Sequence, residues 1–95
     1  YTNARMTFYE VGVGACGFTN KDTDYIVAIN AVQWAQGAHC SAAVTITYHT
    51  KSAQAKIVDK CTGCPYPGLD LSPALFSYLA GDLGVGAFQG DWYYN

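Results

Sequence analysis

Two aspartates, Asp59 and Asp70, flank a short segment within KIVDKCTGCPYPGLDLSPALF (residues 56–76) that also carries Cys61, Cys64, two prolines and Tyr66. Paired carboxylates can do acid–base work on a glycosidic bond. One, protonated, donates to the leaving oxygen while the other, ionised, activates water, and inversion asks for roughly 6.5–9.5 Å between them. Asp beside turns more commonly accepts backbone N–H bonds, so the pair also has a purely architectural reading. The Cys-x-x-Cys between them admits three chemistries: a disulfide, half a zinc site or a redox pair. Cys16 and Cys40 form no second Cys-x-x-Cys, which weighs against a metal. Glu10 is a further carboxylate, directly after Tyr9. His39 and His49 lack metal-ligand spacing and are expected at the surface.

The elements that must position these groups are short. Arg5–Val11 alternates and is rich in β-formers, as a first strand would be, and it ends in the glycine-punctuated segment 12–17. Tyr25–Asn30 is a β-branched run, and AVQWAQGAH after it reads as a helical turn closing at Gly37. Ala43–His49 and Ala55–Asp59 form a hairpin turned by TKSAQ. Pro73–Ala80 is the one well-signalled helix, with Ser72 at its N-cap, Pro73 at the first position and Gly81 as its left-handed stop. Asp70 therefore lies close to a helix N-terminus, which would lower its pKa, whereas burial and a neighbouring Asp59 would raise it. Gly84–Tyr94 reads as a glycine-interrupted last strand, with Trp92 half in the core and half a ring platform. Short strands with one or two brief helices point to a small six-stranded barrel, mainly β.

Ninety-five residues make one domain with a marginal core. Four cysteines are the obvious supplement, and two bridges point to an oxidising, extracellular compartment. Their connectivity has three possibilities. The net charge of −2 with five Lys and Arg cannot neutralise a phosphate track, so nucleic acid is not an expected partner. No apolar run approaches the roughly 20 residues of a membrane span. The chain opens at Tyr1 without a charged n-region and h-region and is read as a secreted, mature monomer with no cofactor. Aromatic residues make up 15% of it, with eight Tyr and two Trp, enough to supply flat platforms with polar edges.

The segments TFYEVGVGACG, IVAIN and VDKCTGC followed by LDLSPALF resemble the double-psi β-barrel of expansin-like proteins, closest to the single-domain loosenin type. The pair D-x-C-x-x-C and L-D-L-S-P-x-x-F at this separation is the most specific element, and the likeness runs over nearly the whole chain. It implies a disulfide-stapled barrel that binds and loosens cell-wall polysaccharide such as cellulose or chitin without hydrolysis. Asp70 would be the residue on which activity depends, Asp59 would line the same groove, and Thr7 with Tyr9 would complete the polar cluster. Bacterial expansins carry a Tyr where this chain has Cys61, and Tyr66 is the substitute ring proposed here. Expansin likeness implies Cys16–Cys40 and Cys61–Cys64, whereas barwin likeness implies Cys16–Cys61. The same barrel serves small endoglucanases, lytic transglycosylases and a papain-inhibitor type, so fold leaves function open. In the endoglucanases the catalytic base follows an aromatic residue near the position of Glu10. Strand alternation, however, puts Thr7 and Tyr9 on one face and turns Glu10 away, which favours a non-hydrolytic protein.

Overall fold

The computed structural model describes residues 1–95. Six strands close into a barrel in the order β1-β5-β2-β4-β3-β6. They are β1 (Ala4–Phe8), β2 (Ile26–Asn30), β3 (Ala43–Tyr48), β4 (Lys51–Cys61), β5 (Leu69–Leu71) and β6 (Phe88–Tyr94). Two short α-helices, α1 (Ala31–Trp34) and α2 (Pro73–Ala80), punctuate them. The pairs β1/β5 and β2/β4 run parallel, and the remaining neighbours run antiparallel. A small closed barrel leaves no free sheet edge, and its interior must be filled by side chains. Alternation supplies them: Ala4 and Met6, Val27 and Ile29, Val44 and Ile46, Ala55 and Ile57, Leu69 and Leu71 all point inward. Leu75, Phe76 and Leu79 of α2 close one opening.

Several boundaries differ from the sequence expectation, each for a local reason. The β3–β4 hairpin turns on His49 and Thr50 alone, with His49 at φ 53°, so Lys51–Gln54 are strand residues paired to β3 and not part of a turn. Strand β1 ends at Phe8, short of Val11, although Tyr9 N still donates to Leu71 O at 3.1 Å. LDL is itself a strand, β5, wedged between β1 and β2 and too short to show a period of its own. Leu83–Val85 forms a 3-10 turn, so the last strand starts at Phe88 and not at Gly84. Helix α1 is cut off because Ala35 and Gln36 both adopt positive φ. Helix α2 has the expected ends, with Gly81 at φ 90°. Ser72 does not cap it with its side chain; the hydroxyl donates to Asp24 O and ties the preceding loop to β5.

The disulfides are Cys16–Cys40 and Cys61–Cys64. Cys16–Cys40 anchors the glycine-rich loop 12–17 to the segment after α1, and Cys61–Cys64 fixes the turn between Asp59 and Asp70. The double-psi barrel, its two short helices and its disulfide staples are as the sequence implied.

Candidate functional site

Strand register gathers the candidate residues. Thr7 of β1 lies opposite Asp70 of β5, Asp70 lies opposite Ala28 of β2, and Ala28 lies opposite Asp59 of β4. Directly opposed residues share a face, so Thr7, Asp70, Ala28 and Asp59 form one row across four strands on the outside of the barrel. Two strand spacings of about 4.8 Å put the α-carbons of the two aspartates about 10 Å apart, with a methyl group between them.

Asp59 reaches that row only because β4 carries a β-bulge. Val27 pairs with Ile57 and Ala28 with Asp59, so Val58 is the extra residue. Ala55 and Ile57 point into the core, and unbroken alternation would send Asp59 after them. The bulge re-aims it outward, as bulges beside functional sites commonly do. Once there, its Oδ1 accepts from Ala15 N at 2.7 Å and Lys60 N at 2.8 Å. Asp59 thus takes the architectural role considered for it: one oxygen holds the 12–17 loop, and the other accepts no hydrogen bond within the protein. Gly14 makes this approach possible, since a β-carbon there would lie 2.3 Å from Val58 O and 3.1 Å from Asp59 Cβ.

Asp70 is half-buried, and its one side-chain hydrogen bond comes from Thr7 Oγ1 at 2.7 Å. Burial is the main influence on its pKa and raises it above the ordinary carboxylate value; the Thr7 bond opposes this, and the charge of Asp59 adds to the rise. The α2 N-terminus does not reverse the sign, because Asp70 sits inside β5 and accepts none of the helix amides. Tyr9 is half-buried beside both aspartates. Burial first, then the charges of Asp59 and Asp70, hold its phenol well above the usual range, so it stays a neutral donor facing two carboxyl groups. Ala28 is only 2% exposed, so its methyl is covered and lies between the two aspartates as a closed spacer. Glu10 is exposed, past the end of β1, and does not join the row.

The sulfurs of Cys61 and Cys64 and a carboxylate oxygen of Asp70 lie within 4.8 Å of one another. Both sulfurs are bonded to each other, so the trio offers no thiolates to a metal. The disulfide instead walls the Asp70 side of the row.

Tyr66 is 55% exposed in the turn that leads into β5. Its ring meets the edge of Tyr1 at 6.0 Å, and Tyr1 lies over Trp92 at 4.6 Å. Trp92 itself departs from the expectation of a ligand platform. It is 1% exposed and packed in the core, with Nε1 donating to Pro67 O at 2.8 Å. A ring sealed on both faces cannot stack on a sugar; it anchors the Tyr66–Pro67 segment from beneath, and the exposed rings above it are Tyr66 and Tyr1. His39 is half-buried and stacked on Tyr94 at 4.9 Å, while His49 is exposed. Sequence reasoning missed Ala28, the buried small residue between the two aspartates, and Gly14, whose missing β-carbon lets the loop approach Asp59.

No family model matches the chain. In sequence it is 37% identical over 97 residues to Allergen Asp f 7 of Aspergillus fumigatus, covering 96% of this chain and 36% of that protein. It is 33% identical over 90 residues to the papain inhibitor of Streptomyces mobaraensis, covering 85% of this chain and 63% of that one. The chain thus spans roughly a third of the length of the fungal relative and less than two thirds of the bacterial one. In three dimensions it matches the Streptomyces papain inhibitor with a TM-score of 0.88 at 30% identity, over 99% of this chain and 92% of that one. The chain belongs with the Streptomyces papain inhibitor, and its fold is the expansin-like double-psi β-barrel. An Asp-to-Asn variant of the Clavibacter michiganensis expansin, solved with cellohexaose, shares the expansin-like barrel at a TM-score of 0.89. At 24% identity, over 99% of this chain and 50% of that one, that likeness is one of fold.

Proposed function

We propose that this expansin-like barrel is secreted, binds a cell-wall polysaccharide along the Thr7–Asp70–Ala28–Asp59 row, and loosens it without hydrolysis. The observation that carries the reading is the outward row itself, with two carboxyl groups and a neutral phenol presented side by side. Two disulfides suit an oxidising compartment. The chemistry needed is competitive binding. Tyr66 offers a ring to stack on a sugar, while Asp70, Tyr9 and the free oxygen of Asp59 exchange hydrogen bonds with hydroxyls that otherwise join neighbouring chains. Each stacked ring would add on the order of 0.5–1.5 kcal/mol, by analogy with aromatic pairs, so contact is weak and able to slide. In a hydrolase pair Asp70, whose pKa burial raises, would take the acid side. Asp59 would have to be the base, yet one of its oxygens is already held by two amides, and Glu10 stands apart. The test is a pull-down on cellulose and chitin together with the loss of strength of filter paper, run for the wild type and Asp70→Asn. Loss of weakening in the variant, with no reducing ends released by either protein, supports the proposal. Weakening that is unchanged in the variant, or reducing ends released by the wild type, refutes it.

The match to a papain inhibitor over 92% of its chain favours a second reading, inhibition of a papain-like cysteine protease. The loop 12–17 has the form for it. Val13 is 75% exposed and is held in place by its bridge to Thr19, and the Cys16–Cys40 disulfide braces the loop. Submicromolar inhibition of papain that Val13→Asp abolishes and Asp70→Asn leaves intact would support this reading; no inhibition by the wild type would remove it.

A further inference from the structure

A second concave surface lies along the outer face of β4, before the bulge. Two hollows of about 240 and 290 Å³ adjoin there, and Lys56 belongs to both. On one side of the lysine stand Phe18, Asn20 and Ser41, and on the other Tyr25 and Gln54. Phe18 and Tyr25 are both exposed large rings. No carboxylate lines either hollow. The strip from Gln54 to Val58 spans roughly 13 Å at about 3.3 Å per residue. The loop 12–20 touches both surfaces: Gly14 and Ala15 rest on Asp59, whereas Phe18 and Asn20 face the lysine. This strip is thus separate from the aspartate row.

Its chemistry differs from that row in sign. A single ammonium stands between two rings and is surrounded by amides and a hydroxyl. The Asn20 nitrogen makes a 3.4 Å bond to Asp24, and its buried oxygen accepts none, which leaves an unpartnered polar group beside the hollow. We infer that this strip is a binding subsite for an acidic polysaccharide, in which Lys56 pairs with a uronate carboxylate and Phe18 and Tyr25 stack on the flanking sugars. A peptide carrying carboxylates would meet the same lysine but could not add a strand. Lys56 is already paired to Ile26 on one side and Ala43 on the other, and no backbone edge is free in the strip. Sugars need no such edge, because rings, amides and hydroxyls suffice.

The subsite does not depend on the neutral-glucan reading, and the test separates the two. Affinity electrophoresis of the oxidised, intact chain is run in gels containing polygalacturonate, its fully methyl-esterified form, cellulose-derived soluble glucan, or poly-glutamate. The expected result is retardation by polygalacturonate that weakens with salt and is lost on esterification. Lys56→Glu lowers that affinity about tenfold or more, and Phe18→Ala or Tyr25→Ala lowers it several-fold, while Asp70→Asn leaves it unchanged. Lys56 is exposed on a strand, so its replacement leaves the fold intact, which an unchanged near-UV spectrum verifies. Three results overturn the inference: no retardation of the wild type by polygalacturonate, equal retardation of Lys56→Glu, or equal retardation of the wild type by poly-glutamate, which would assign the strip to acidic peptides. Glucan binding lost in Asp70→Asn but kept in Lys56→Glu reports on the aspartate row alone.

Discussion

Replacing Gly14 by alanine adds one methyl group where the structure has no space for it. The new carbon would stand 2.3 Å from Val58 O and 3.1–3.2 Å from Asp59 Cβ and Cγ. Val58 O belongs to strand backbone fixed by the paired residues Ile57 and Asp59 on either side, so the loop must lift. Lifting it stretches the Ala15 N bond to Asp59 at 2.7 Å and the Cys16 N bond to Val58 O at 3.1 Å. Overpacking of this kind costs about 1–3 kcal/mol, and a hydrogen bond to a charged group is worth about 1.5–3 kcal/mol when buried. The Asp59 bond is exposed and is discounted, and relief of the clash is the same event as loss of the bond, so the two do not add in full. The expected destabilisation is about 2–3 kcal/mol, or a fall in Tm of about 10–20 °C for a domain of this size. Thermal melts by circular dichroism measure it, and the pull-down on cellulose should weaken in parallel because Asp59 loses its brace. Gly12→Ala is the control. A β-carbon there meets nothing within 4 Å, and its expected effect is within about 0.5 kcal/mol. If Gly14→Ala melts with the wild type, the loop does not hold Asp59 as described and the argument for the row fails at that end.

The raised pKa of Asp70 sets a pH dependence with a definite sign. A carboxyl group whose folded pKa exceeds its unfolded value costs nothing below the unfolded value and destabilises progressively as pH rises through the folded one. Asp70→Asn should therefore melt higher than the wild type at neutral pH, with the gap closing on acidification below the ordinary Asp value. A constant gap in a pH series of melts refutes it. Tyr9→Phe keeps the half-buried ring and removes the hydroxyl beside the two aspartates, so its Tm should stay near that of the wild type while glucan binding falls several-fold in the pull-down. Ala28 is 2% exposed, so Ala28→Leu should cost about 1–3 kcal/mol by overpacking, with binding abolished; urea unfolding measures the first and the pull-down the second. In the loop-entropy picture the Cys16–Cys40 bridge, with a separation of 24, contributes about 3.5 kcal/mol, and Cys61–Cys64, with a separation of 3, about 1.9 kcal/mol. Removing the first pair as a double Ala variant should therefore destabilise more than removing the second, and the reverse order in urea would refute the ranking.

The parts of this fold legible in sequence were those with a local physical cause. Pro73 and Gly81 bound α2 because one fits a helix start and the other a left-handed stop, and neither needs the rest of the chain. The alternation of Ala43–Tyr48 reads correctly because that strand has one face in the core throughout. Strand β5 was invisible, since Leu69–Leu71 is too short to show a period and owes its extended form to β1 and β2 on either side. The hairpin turn was placed too late because Lys51–Gln54 are exposed or half-buried residues whose strand character comes from pairing with β3. Trp92 was given a platform role for its ring, yet the ring follows the inward face of β6 with Phe88. Asp70 and Thr7 came together as the resemblance implied, and here the parallel pairing of β1 with β5 is the cause.

The bulge at Val58 is what joins architecture to function in this barrel. The inward alternation of β4 supplies Ala55 and Ile57 to the core, and that same alternation would bury a carboxylate at position 59. A buried, unpaired Asp would cost several kcal/mol or be forced to neutralise. Shifting the ladder by one residue keeps the core apolar and turns the charge outward, where the 12–17 loop can hold it with an amide. The bulge also divides the outer face of β4 into two stretches. Upstream lies a strip centred on a cation, downstream a row of acids, and the loop that rests on Val58 touches both. A protein with both surfaces could grip an acidic chain with one and a neutral chain with the other, and a wall made of both polymers would present them together. Proteins altered at Lys56 and at Asp70 should then fail on different polymers while sharing one melting curve at pH well below the ordinary Asp value, where the Asp70 difference has closed.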